Sequence, residues 1–126
     1  MSTANQTAVA DLKTLDNQLN QEILKGDILG AFEKFYAEDV VMEENTEITR
    51  IGKDANREAE KAFLASVEEF HGVQLLGSAV EGDRSYSEWV LEVTFKGGQR
   101  VKLTQVAARK WRDGQIVHER FYYSKG

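Results

Sequence analysis

The 126-residue chain contains no cysteine and no proline. Without cysteine there is no disulfide scaffold, zinc finger, iron–sulfur cluster or thiol nucleophile. Without proline there is no PxxP ligand and no proline-rich linker. Histidine is scarce: His71 and His118 lie far apart, and no His-x-His or HExxH spacing supports a metal site, so none is expected. No stretch approaches the roughly 18 apolar residues that a membrane-spanning helix needs. Met1 to Ala10 is polar and lacks the apolar core of a secretion signal. These absences give the expectation of a soluble, cytoplasmic protein with no membrane partner. Positive charge is also in deficit, with 16 Lys and Arg against 21 Asp and Glu, a net charge of −5. That balance argues against nucleic acid as a partner, because binders of it carry a basic patch or stripe. GxGxxG, GxxxxGK[ST] and GxSxG patterns are missing, so nucleotide binding and serine-hydrolase chemistry have no support.

What is present is globular. Hydrophobic residues make 41% and charged residues 29%, with no repeat and no low-complexity tract. The length predicts one domain, 1–126, able to bury a core without covalent staples.

The pattern predicts helices first and strands afterwards, hence an α+β fold rather than alternating βαβ units. Residues 7–25 carry an apolar stripe of Val9, Leu12, Leu15 (or Asp16), Leu19 and Ile23, which predicts a helix stopped at Gly26. Asp27 is placed to cap a second helix with Ile28, Ala31, Phe32, Phe35 and Tyr36 on one face. Val40–Met42 and Thr46–Ile51 read as short strands with Asn45 in the turn between them. After Gly52-Lys53-Asp54, residues 55–70 read as a third helix ended by His71-Gly72, with His71 complementing the helix dipole. From Val73 onward the chain reads as about four long strands joined at Glu81–Arg84, Gly97-Gly98 and Asp113-Gly114. A twisted antiparallel sheet of this length curls, and three helices closing one end leave a cone-shaped cavity.

The order of these pieces resembles the nuclear transport factor 2-like superfamily, and within it the SnoaL-like and ketosteroid isomerase-like proteins. The resemblance covers nearly the whole chain. It is carried by Gly26-Asp27-Ile28, by residues 35–45, by Ile51-Gly52-Lys53-Asp54, and by residues 111–117 leading to Tyr122-Tyr123. It implies a cystatin-like cone of three helices on a strongly curved antiparallel sheet, and a homodimer formed through the outer sheet face. The family's carboxylate base corresponds to Glu44. The isomerase's oxyanion tyrosine corresponds to Leu19 and its protonated aspartate to Val106 or Ala107, none of which donates a hydrogen bond. Such donors contribute several kcal/mol to an enolate-like transition state, so steroid isomerisation is not expected.

Two acids are candidate catalytic residues. Glu44 is either a general base at the cavity mouth or part of a solvated acidic turn with Glu43 and Glu47. Glu119 faces the cavity if Val117, Phe121 and Tyr123 do. It then needs a charge partner, for which Arg109 on the adjacent strand is suited, either in ligand binding or as a structural ion pair. With reversed strand parity, His118 becomes the titratable pocket group. Tyr36, Trp89, Gln105, Arg109, His118, Phe121 and Tyr123 are the candidate ligand-binding residues. The expected partner is a small apolar or amphipathic molecule. The expected activity is cofactor-independent isomerisation, cyclisation or dehydration by general acid–base catalysis. The alternative is a non-catalytic dimeric binding or association module.

Overall fold

The computed structural model describes the backbone of residues 2–124 and the side chains of residues 12–124. Three helices and six strands follow in the order α1 (Ser2–Leu24), α2 (Ile28–Phe35), β1 (Tyr36–Glu44), β2 (Ile48–Ile51), α3 (Lys53–Ser66), β3 (Val67–Glu81), β4 (Arg84–Phe95), β5 (Arg100–Arg112) and β6 (Gln115–Tyr123). The strands form one curved sheet in the order β2-β1-β6-β5-β4-β3. All neighbours run antiparallel except β1 and β6, which pair in parallel, so the sheet is mixed and not wholly antiparallel.

Local chemistry accounts for most boundaries. The Asp27 carboxylate accepts from the Gly30 amide at 3.1 Å and caps α2. Asn45 (φ 52°) and Asp113 (φ 53°) take left-handed conformations at the β1–β2 and β5–β6 turns. Such backbone favours Asn, Asp and Gly, and Gly114 (φ 80°) completes the second turn. Three expected boundaries move. Tyr36 opens β1 instead of closing α2. The third helix stops at Ser66, where the Ser66 hydroxyl bonds the Phe63 carbonyl and Lys96 donates to the Ser66 carbonyl at 2.8 Å. Val67 through Gly72 therefore belong to β3, and His71 bonds the Thr94 hydroxyl at 2.7 Å rather than ending a helix.

The main core packs Leu12 and Leu19 of α1 and Ala31, Phe32 and Phe35 of α2 against Tyr36, Val40, Met42, Trp111 and Ile116 of the sheet. β3 shifts register against β4 at three places, each bending the strand. β6 shifts between Ile116 and His118 against β5. That shift makes Val117 an extra residue, so Ile116 and Glu119 both point inward although three positions apart. No helix among the described residues is long and apolar enough to cross a membrane.

Candidate functional site

Helices and sheet enclose a hollow of about 600 Å³. Its walls are mainly apolar, with Phe32, Phe63, Trp89, Leu91, Leu103 and Phe121 among them. Phe32, Phe63 and Trp89 line the hollow and do not fill it. That size falls in the usual range for small-molecule sites.

The deepest polar feature is a network around Arg109, whose side chain is 1% exposed. Arg109 Nε donates to Glu119 Oε2 at 2.8 Å, and its Nη1 donates to Asp16 Oδ1 and Asn20 Oδ1, both at 2.9 Å. The register sets Arg109 directly opposite Glu119 across β5 and β6. Ser85 donates to Asp16 Oδ1 at 2.7 Å and accepts from Trp111 Nε1 at 2.9 Å. Tyr36 closes the network, donating its hydroxyl to Glu119 Oε1 at 2.5 Å. Burial pushes the Tyr36 hydroxyl pKa well above its ordinary value, and the adjacent Glu119 charge adds to the effect. Burial also opposes the charge on Arg109, but Glu119, Tyr36 and Asp16 outweigh it and hold its pKa above the usual arginine range. Charges this deep persist only when paired and fully hydrogen-bonded, as they are here.

A second polar group stands four residues further along β6. Tyr123 donates its hydroxyl to Glu44 Oε1 at 2.6 Å, and Arg50 Nη1 reaches Glu44 Oε2 at 2.8 Å. Burial raises the Glu44 pKa, but the bonds from Tyr123 and Arg50 prevail and leave it below the ordinary value. The bond to Glu44, with some burial, pushes Tyr123 up to about 12.

A third carboxyl, Glu60, enters from α3 and has a different environment. It makes no hydrogen bond or ion pair with any described residue, and burial raises its pKa to about 7. The Glu119 and Glu44 charges act in the same direction, and Arg50 opposes them.

Comparison with known proteins places this arrangement. The SnoaL-like domain family matches residues 17–123. The chain belongs to the SnoaL-like family. A candidate SnoaL-like polyketide cyclase from Mesorhizobium loti is 30% identical, with 88% of this chain and 97% of that one covered and a TM-score of 0.81. A candidate polyketide cyclase from Xanthomonas campestris is 23% identical over 92% of each chain, with a TM-score of 0.73. A candidate hydroxylase from Streptomyces galilaeus is 17% identical over 92% of this chain and 90% of its own, with a TM-score of 0.74. At those two lower identities the likeness is one of fold. No protein of curated function matches the chain.

In this SnoaL-like domain both acids singled out from the sequence, Glu44 and Glu119, line the pocket, as do Tyr36, Trp89, Gln105, Arg109, Phe121 and Tyr123. His118 does not. The Val117 bulge turns it to the other face, where its ring meets Glu43 Oε2 at 2.5 Å, and Val117 itself is likewise absent from the walls. Leu19 lines the pocket and Ala107 is fully buried, so the two isomerase donor positions hold apolar side chains. Sequence reasoning missed Asp16, Asn20, Ser85 and Ser87 of the Arg109 network, and it missed Glu60. Asp16 and Asn20 gave a signal, being two polar residues at i, i+4 inside the stripe of Leu12, Leu19 and Ile23. Among the described residues, no three His, Asp or Glu side chains are grouped to hold a metal.

Proposed function

We propose that this SnoaL-like domain binds a small amphipathic molecule in the pocket and moves a proton on it by general acid–base catalysis, as an isomerase, cyclase or dehydratase would. The observation that supports this reading is the set of carboxyl groups facing an apolar hollow of about 600 Å³. Water is scarce beside such walls, so a carboxyl left there without a hydrogen-bond partner is a stronger base than in solution. The polyketide cyclase names of two similar structures point to cyclisation of a carbonyl-rich molecule. Tyr36 and Tyr123 are the polar tips of the aromatic walls, and Glu119 with Arg109 anchors the deep end.

The test begins with small molecules released from the purified protein by organic solvent and identified by mass spectrometry. The identified molecule, returned to fresh protein in heavy water, is expected to gain deuterium at carbon or convert to product. Glu44→Gln and Glu119→Gln are expected to slow that step. Tight binding with no exchange and no conversion would instead establish a binding module.

The outer sheet face is proposed as a homodimer interface. Tyr122 lies opposite Val106, and Tyr86 opposite Ala108, making a partly apolar surface there. Light scattering tests this proposal: a dimer is expected, and a monomer after Val106→Lys.

A further inference from the structure

The polar side chains lining the pocket differ in whether they already have partners. Glu119, Arg109 and Tyr36 saturate one another. Glu44 is held by Tyr123 and Arg50. Asn56 donates to the carbonyls of Arg50 and Gly52 at 3.1 and 2.8 Å. Three remain: Glu60, Gln105 and the Trp89 indole line the pocket and make no side-chain hydrogen bond with any described residue, and of these Glu60 supplies a carboxyl and Gln105 an amide. The Glu60 and Gln105 side chains are partly exposed to the space of the pocket, so their hydrogen-bonding capacity stays open to whatever enters it.

Both groups are held on rigid elements. Glu60 stands one helical turn after Asn56 and just before Phe63, and all three face the pocket. The Asn56 bonds to the β2 end and the Gly52 carbonyl fix that face of α3. Gln105 lies between two pocket aromatics, opposite Trp89 on β4 and opposite Tyr123 on β6.

We propose that Glu60 is the catalytic residue that takes and returns the proton, and that Gln105 donates to the substrate oxygen on which charge develops. The proposal rests on the acid–base reading of the pocket and names the residue that performs it. The Glu60 carboxylate removes a proton from a substrate carbon next to a carbonyl. The C–H electron pair moves into the carbonyl, whose oxygen becomes an enolate that accepts from the Gln105 amide. Protonated Glu60 then returns the proton at another atom, with no oxidant or reductant consumed. The groups acting on Glu60 are Glu119 from β6, Glu44 from β1 and Arg50 from β2, and its pKa of about 7 lets it serve in either protonation state.

5-Nitrobenzisoxazole is the probe. A carboxylate removes its ring proton, the N–O bond breaks, and a coloured cyanonitrophenolate leaves. Wild-type rate is expected to rise with pH through a midpoint near 7. Glu60→Gln is expected to lose about 100-fold, Glu60→Asp to keep part of the rate, and Gln105→Leu to lower kcat more than it raises KM. Glu58→Gln, on the solvent side of α3, should match wild type. Full rate in Glu60→Gln together with loss in Glu44→Gln would overturn the proposal and keep the acid–base reading. Probe that binds, quenching tryptophan fluorescence, but turns over no faster than with free acetate would overturn both.

Discussion

Glu60 and Arg109 illustrate opposite treatments of a buried charge. Glu60 has no partner, so ionising it in the folded protein is disfavoured. Its folded pKa of about 7 lies above the 4.5 of an ordinary glutamate. The folded state therefore holds the proton more tightly than the unfolded chain. Stability is unaffected by this group below pH 4.5, falls as pH rises toward 7, and stays lowered above that value. The shift corresponds to about 3 kcal/mol. Urea unfolding at pH 5 and pH 9 should show Glu60→Gln gaining on wild type by that order at the higher pH. Equal gaps at both pH values would contradict the environment assigned to Glu60. Arg109 lies between Glu119 and Asp16, and Arg109→Met strands both acids in the interior. Its expected cost is about 3–5 kcal/mol in the same assay. Tyr36→Phe removes the donor to Glu119 Oε1 and should cost about 1–3 kcal/mol. The Arg109–Glu119 pair was legible in the sequence under one of the two strand parities, because that parity sets Glu119 inward and a buried acid demands a cation. Glu60 was not legible. It sits one place beyond Ala59, which with Phe63 makes the apolar face of α3, and only a hollow beside α3 gives that edge position an apolar environment.

Among the elements, turns were easier to read than helix ends. Gly26, Asp27, Asn45, Gly97-Gly98 and Asp113-Gly114 each supply a conformation or cap that few other residues supply, and each lies at a break. The end of α3 depends on a distant contact, the Lys96 amide meeting the Ser66 carbonyl, which no local pattern encodes. The Val117 bulge is similar: strict alternation puts either Val117 with Glu119 or Ile116 with His118 inward, and the shifted pairing with β5 sets Ile116 and Glu119 inside together. The α2 start offers a test where two effects oppose. Gly30→Ala would gain about 1 kcal/mol of helix propensity. Its new Cβ would meet the Asp27 carboxylate and displace the cap, a loss of about 1 kcal/mol. The expected Tm change is therefore near zero, whereas in an Asp27→Ala background the same substitution should stabilise. Stabilisation of equal size in both backgrounds would show that the Asp27 cap contributes nothing.

For the whole molecule, the sheet's bends and the helices across it create the hollow, and the SnoaL-like fold was readable from the order of helices, turns and strands. The parallel β1–β6 pairing was not, because parallel neighbours distant in sequence leave no local mark. The hollow is central to the account, since its apolar walls surround Glu60 and it leaves space beside Gln105. The most direct measurement is a crystal structure of the protein soaked with 5-nitrobenzisoxazole or its phenol product. The account predicts ligand density inside the pocket, with a polar atom within hydrogen-bond distance of Glu60 or Gln105. Side chains of Phe32, Phe63 and Trp89 collapsed into the space, with Glu60 turned out to solvent, would contradict it.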